Sequence, residues 1–122
     1  MILDTYAWIE LFKGGAKGQK VKGLLESGKC FTSGISIAEL SEWIEKDKAH
    51  RQFVFHTVET LSTVLEINRE TLELGGILKA EKRKTIKDFG MIDAIILATA
   101  RQYSLPVVTG DAHFRGENSI ML

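Results

Sequence analysis

The sequence has a single cysteine, Cys30, too few for an internal disulfide or a multi-thiolate zinc site. That scarcity fits a reducing cytoplasm, with Cys30 expected in the core. One proline and 11 glycines leave few places for a linker, and neither a repeat nor a low-complexity tract divides the chain. One domain over residues 1–122 is expected. Long apolar runs are also missing: the longest stretch, around Ala94 to Ala100, is far too short to span a bilayer. Asp4, Glu10 and Lys13 interrupt the N-terminus before a secretory leader could form, which adds to the cytoplasmic expectation. Finally there is no charge excess. Sixteen Lys and Arg balance 16 Asp and Glu, so the overall basicity typical of a nucleic-acid binder is absent.

What is present suits a folded domain. The chain is 44% hydrophobic and 26% charged, which argues against disorder and allows a real core. Met1 to Leu3 form a short apolar run ending at Asp4, followed by a helical pattern from Tyr6 to Lys13. Gly14 and Gly15 stop it, and Gln19 to Glu26 reads as a second helix. Lys29 to Ser33 is a plausible strand, and Ser36 opens a helix to about Lys46. A further helix spans Ala49 to Leu61, and Thr63 to Ile67 reads as a strand. Asn68 suits the N-cap of the next helix. Asp93 begins an unusually apolar helix, DAIILATARQY, expected to be buried on most sides. Leu105 to Thr109 resembles a buried parallel strand, and Ser119 to Leu122 a short last one. Alternating strands and helices imply an α/β fold with a short parallel sheet covered on both faces.

In such folds helix N-termini and strand C-termini share one edge of the sheet, where ligands bind. Asp4 follows the first strand. Glu39 is assigned to the first turn of the helix after the second. Asp93 opens the buried helix, and Asp111 follows the strand ending at Thr109. Each has an ordinary explanation. Asp4 and Asp93 suit N-caps, Ser36 with Glu39 spells a capping box, and Asp111 suits a turn. Together, however, four acids remote in sequence are assigned to one edge. Two carboxylates about 4 Å apart repel by about 4 kcal/mol at an effective dielectric near 20. Protonation or a cation must relieve such a cluster. Oxygen ligands without His or Cys point to Mg²⁺ or Mn²⁺ rather than zinc. One or two such ions could lower the pKa of a bound water and offset negative charge developing on a substrate.

The segments LDT at 3–5, AEL at 38–40, IDAIILATA at 92–100 and TGDAHF at 109–114 resemble the four signature segments of PIN-domain proteins. The likeness runs nearly the whole chain, and its size is most similar to the VapC-type toxins of VapBC toxin–antitoxin modules. It implies a PIN-like three-layer α/β/α fold and metal-dependent endoribonuclease activity, with Asp4, Glu39, Asp93 and Asp111 as metal-holding catalytic residues. Thr109 stands where a hydroxyl residue supports the last motif. The resemblance further implies an RNA substrate, a cognate antitoxin and a homodimer.

Basic residues cluster locally, at Lys13, Lys17, Lys20 and Lys22 and again at Lys79, Lys82, Arg83, Lys84 and Lys87. Lys13, Lys82, Arg83 and Lys84 are candidate RNA contacts, against the alternative of a solvated face. His50, His56 and His113 show no metal-ligand spacing; His113, beside the acids, reads as a surface residue, with contact to a phosphate as the alternative. Asp88 is a spare acid in a loop. Trp8, Phe12 and Trp43 suit core or dimer contacts better than base stacking. Gly75 and Gly76 inside a helical pattern suggest a kink or close helix packing. Tyr6 stands where a haloacid-dehalogenase-type phosphatase needs a second Asp. The acidic pair and mid-sheet Asp of a response-regulator receiver are absent, as are glycine-rich phosphate loops. A DNA-directed flap-endonuclease type demands more carboxylates and more chain. The remaining rival is a PIN-like module that binds protein or RNA without cleaving.

Overall fold

A computed structural model describes all residues, 1–122. The elements run β1 (Ile2–Leu3), α1 (Thr5–Lys13), α2 (Ala16–Ser27), β2 (Phe31–Ser33), α3 (Gly34–Asp47), α4 (Arg51–Leu61), β3 (Thr63–Leu65), α5 (Arg69–Lys82), α6 (Met91–Gln102), β4 (Val107–Thr109) and β5 (Ser119–Met121). A 3₁₀ turn, Ala112–Phe114, lies between the last two strands. The five strands form one parallel sheet in the order β3-β2-β1-β4-β5. β1 is therefore central despite having only two residues.

Strand alternation sorts the apolar residues into two cores. Ile2 and Val107 face a cluster with Leu78, Phe89, Ile96, Leu97 and Phe114. Leu3 and Val108 face the other, with Ala7, Trp8, Val21, Leu40 and Val58. Helices cover both faces, giving the expected three layers. The seven residues from Ala94 to Ala100 are all buried, as the near-continuous apolar run of α6 requires. Cys30 lies in the core as expected. Gly75 lets α5 close on α6, because a Cβ there would sit 2.9 Å from Ile95 Cγ1. Gly18 does the same for α2 on α1, with a Cβ position only 2.3 Å from the Glu10 carbonyl oxygen. Trp8, Phe12 and Trp43 form a stacked row, and buried Trp8 donates through Nε1 to Thr32 Oγ1 at 3.1 Å.

Helix starts differ from the sequence expectation by one to three residues: α1 begins at Thr5 rather than Tyr6, and α4 at Arg51 rather than Ala49, with His50 as its cap. α2 begins at Ala16 rather than Gln19. α3 begins at Gly34 because Ser33, not Ser36, caps it by accepting from the Ile35 N–H. The capping box is absent: the Ser36 hydroxyl is buried without a hydrogen-bond partner, and Glu39 falls in the second turn. α6 begins at Met91 with Gly90 at its N-cap, so Asp93 lies within the first turn instead of opening the helix.

Candidate active site

The carboxyl ends of β1 and β4 are neighbours, and the chain leaves both of them at an acid-bearing turn. Asp4 ends β1 and caps α1, its Oδ1 accepting from the Ala7 N–H at 2.8 Å. Thr109, buried at the end of β4, accepts the Asp111 N–H on its hydroxyl at 2.9 Å. Asp111 in turn caps the 3₁₀ turn by accepting from the His113 N–H. Glu39 comes from the second turn of α3, and Thr5 donates to its Oε1 at 2.5 Å. Asp93 projects from the first turn of α6. Asp4, Glu39, Asp93 and Asp111 all line one cleft of about 450 Å³, together with Thr5, Tyr6, Ile9, Ile96, Gly110 and Ala112. All four sequence-predicted acids thus meet at the expected edge.

Two of these carboxyls are strongly perturbed. Burial raises Asp4 to about 7, with the Asp93 and Asp111 charges adding to it, against lowering by the Thr109 hydroxyl and the Ala7 N–H. Burial likewise raises Asp93 to about 6, reinforced by Asp111 and Glu39 and opposed by His113. Such an arrangement disfavours its own negative charge and favours a bound cation.

The structure gives two residues, His113 and Tyr6, surroundings that the sequence did not predict. His113 is three-quarters buried, places Nδ1 3.4 Å from Asp111 Oδ1, and reaches Asp88 Oδ1 with Nε2 at 2.9 Å. A surface role for His113 is corrected accordingly: one of its ring nitrogens and carboxylate oxygens of Asp93 and Asp111 lie within 4.8 Å of one another. Tyr6 borders the cleft, lying so close to Gly110 that a Cβ there would be 2.1 Å from Tyr6 Cε1. The Tyr6 hydroxyl accepts from Lys17 Nζ at 2.7 Å, which ties the first basic cluster to the cleft. No periodicity links these residues along the chain; only the sheet order brings them together.

The candidate RNA-contacting cations differ in their surroundings. Lys13 and Lys84 are exposed. Lys82 is mostly buried and paired with Glu117, which Arg101 also holds at 3.0 Å. Arg83 donates from Nε to the Phe89 carbonyl at 2.8 Å. Both therefore have structural partners within the fold.

Fold and cleft together define an α/β protein with a carboxylate-lined site at the carboxyl edge of one parallel sheet. Residues 1–116 match the PIN domain, and the chain belongs to the PIN-domain family. A comparison with curated protein sequences finds no match. Among solved structures, the chain is similar to a toxin–antitoxin complex from Klebsiella pneumoniae, with 23% identity and a TM-score of 0.78 over 98% of this chain and 95% of that one. It is similar to VapC20 of Mycobacterium tuberculosis, described as a sarcin–ricin loop cleaving toxin, at 19% identity and TM-score 0.76, covering 99% and 97% of the two chains. DNA-bound VapBC from Salmonella typhimurium shows 24% identity and TM-score 0.74, over 99% and 95%. No helix is long and apolar enough to cross a membrane.

Proposed function

We propose that this chain is a Mg²⁺- or Mn²⁺-dependent endoribonuclease and the toxin of a type II toxin–antitoxin pair. The observation that carries the reading is the convergence of Asp4, Glu39, Asp93 and Asp111 on one cleft, where burial holds two of them far above the ordinary carboxylate range. The donor set fits a hard divalent ion, because carboxylate oxygens dominate it. Asp4 and Asp93 would hold one or two ions, with Asp111 and Glu39 completing the set directly or through water. When bound, the ion makes water a competent nucleophile near neutral pH and offsets charge developing on the phosphate.

The chain's own residues prepare the site. The Ala7 N–H fixes one Asp4 oxygen at the border of the cleft. Thr5 orients Glu39, and Thr109 orients the Asp111 backbone. These contacts hold the carboxylates in place before substrate arrives, so little reorganisation is needed at the reacting phosphate. Exposed Lys13 and Lys84, and Lys17 held at the cleft border by Tyr6, are cations placed to meet RNA phosphates. The toxin–antitoxin neighbours support a cognate antitoxin as partner, and a homodimer is part of the same reading. Cleavage of a structured RNA in Mn²⁺, stopped by EDTA and lost in Asp4→Asn, is the expected result. Full cleavage by purified Asp4→Asn would overturn the assignment, and metal-independent RNA binding without cleavage would favour a binding module.

A further inference from the structure

We propose that His113 is a nitrogen ligand to the divalent ion of this cleft, aimed by Asp88, and that it biases the site toward Mn²⁺ over Mg²⁺. The inference rests on the metal-dependent reading above. A neutral imidazole donates from one ring nitrogen and accepts at the other. His113 Nε2 lies 2.9 Å from an Asp88 carboxylate oxygen, which only accepts, so Nε2 carries the proton. In the neutral ring, the form able to bind a metal, that leaves the lone pair on Nδ1. That atom is buried and has no hydrogen-bond partner. Its nearest acidic atom is Asp111 Oδ1 at 3.4 Å, another lone-pair bearer. A cation between these groups satisfies both.

The spacing suits an ion. Two donors at about 2.1 Å from an octahedral ion lie about 3 Å apart when adjacent and about 4.2 Å apart when opposite. The donor atoms of Asp93, Asp111 and His113 already lie within 4.8 Å of one another, which brings all three within reach of one ion. The ring is also held from outside the cleft. Phe89 packs beside it at 6.1 Å between centroids, and the His113 N–H is fixed on Asp111. A carboxylate that orients a metal-bound histidine through its second nitrogen is a common device, and Asp88 is placed to act in that way. As an ordinary surface ion pair, Asp88–His113 would leave buried Nδ1 unsatisfied. A nitrogen donor suits a first-row transition ion better than Mg²⁺, which prefers oxygen.

The test uses full-length protein stripped of metal and loaded with Mn²⁺ alone. Pulsed electron paramagnetic resonance should show a directly bound imidazole nitrogen, and the coupling should vanish in His113→Ala. Calorimetric titration should show Mn²⁺ binding weakened about tenfold or more in His113→Ala, and about tenfold in Asp88→Ala with the nitrogen coupling retained. Mg²⁺ affinity should change less than about threefold in His113→Ala. His113→Asn, with circular dichroism as a check on folding, gives the same readout if the alanine variant does not fold. Mn²⁺ binding that needs Asp4 and Asp93 but shows no nitrogen coupling would overturn the ligand role of His113 and leave the metal-dependent reading standing. So would coupling that persists in both His113 variants. Failure of the native protein to bind Mn²⁺ would overturn both.

Discussion

Asp4 does two jobs at one position: it caps α1 and supplies a nearly buried carboxyl to the cleft. Asparagine keeps the capping oxygen and removes the charge, so Asp4→Asn separates the two roles. A carboxyl moved from 3.8 to about 7 is disfavoured as an anion by about 4 kcal/mol. Because the folded value lies above the unfolded one, the folded state holds the extra proton between about pH 4 and 7, and stability falls as pH rises through that window. Metal-free Asp4→Asn should therefore match the native protein near pH 4 and exceed it by about 2–4 kcal/mol at pH 8. Urea denaturation in EDTA at the two pH values measures the gap. Metal competes with the same proton, so Mn²⁺ affinity of the native protein should rise from pH 6 to pH 8. Calorimetry in buffers of different ionisation enthalpy should register proton release on binding.

A second residue-scale prediction concerns Glu117. Burial pushes its carboxyl up, but hydrogen bonds and charges from Lys82 and Arg101 outweigh this and hold it below the ordinary value. Its stabilisation is present at neutral pH and lost as pH falls through that lowered value. Lys82→Glu would set a second anion against Glu117 and should cost about 1–3 kcal/mol in urea melts at pH 7. The Lys82–Glu117 pair is not legible in the sequence, because a run of cations says nothing about the acid 35 positions away that the fold brings to it.

At the scale of elements, the β1–α1 junction at Asp4 and the β4 exit at Asp111 were readable because abrupt polarity changes mark them. The starts of α3 and α6 were not. Ser33 and Ser36 are both competent caps, and only the sheet decides that β2 passes directly into α3 at Gly34. Ser36 instead packs into the core, and Glu39 turns to Thr5 from α1. His113 reads as a surface residue in the sequence because its neighbours Asp93 and Asp88 lie 20 and 25 residues away, at a spacing no single element explains. The adjacent glycines of α5 also differ in a way the sequence does not show. Gly75 is pressed against Ile95, whereas a Cβ on Gly76 meets nothing within 4 Å. Gly75→Val should destabilise by about 1–3 kcal/mol through overpacking. Gly76→Ala should stabilise by about 0.5–1 kcal/mol through helix propensity. Paired denaturation curves on the two variants distinguish these signs.

Across the whole molecule, the zero charge balance is a sum over unlike regions. The acids of the cleft oppose cations at 13–22 and at 79–87, and Tyr6 joins Lys17 to the cleft border. Reversing Lys17 to Glu should weaken RNA binding and make its salt dependence shallower by about one phosphate contact. Filter binding across a salt series in the Asp4→Asn background, with EDTA present to prevent metal-dependent cleavage, measures that slope. An unchanged slope would make Lys17 a solvent-facing residue only.

β1 is the shortest strand and also the middle one, with β2 on one side and β4 on the other. Its pairing with β4 joins residues more than a hundred positions apart, Ile2 with Val107 and Leu3 with Val108. Closing that gap is entropically slow and comes only when most of the chain is available. Asp4 and Asp111 stand on the two sides of that same seam. A chain still growing from its N-terminus carries Asp4 long before it has β4 and Asp111 to place beside it, so the cleft is assembled only once the central strand has both neighbours.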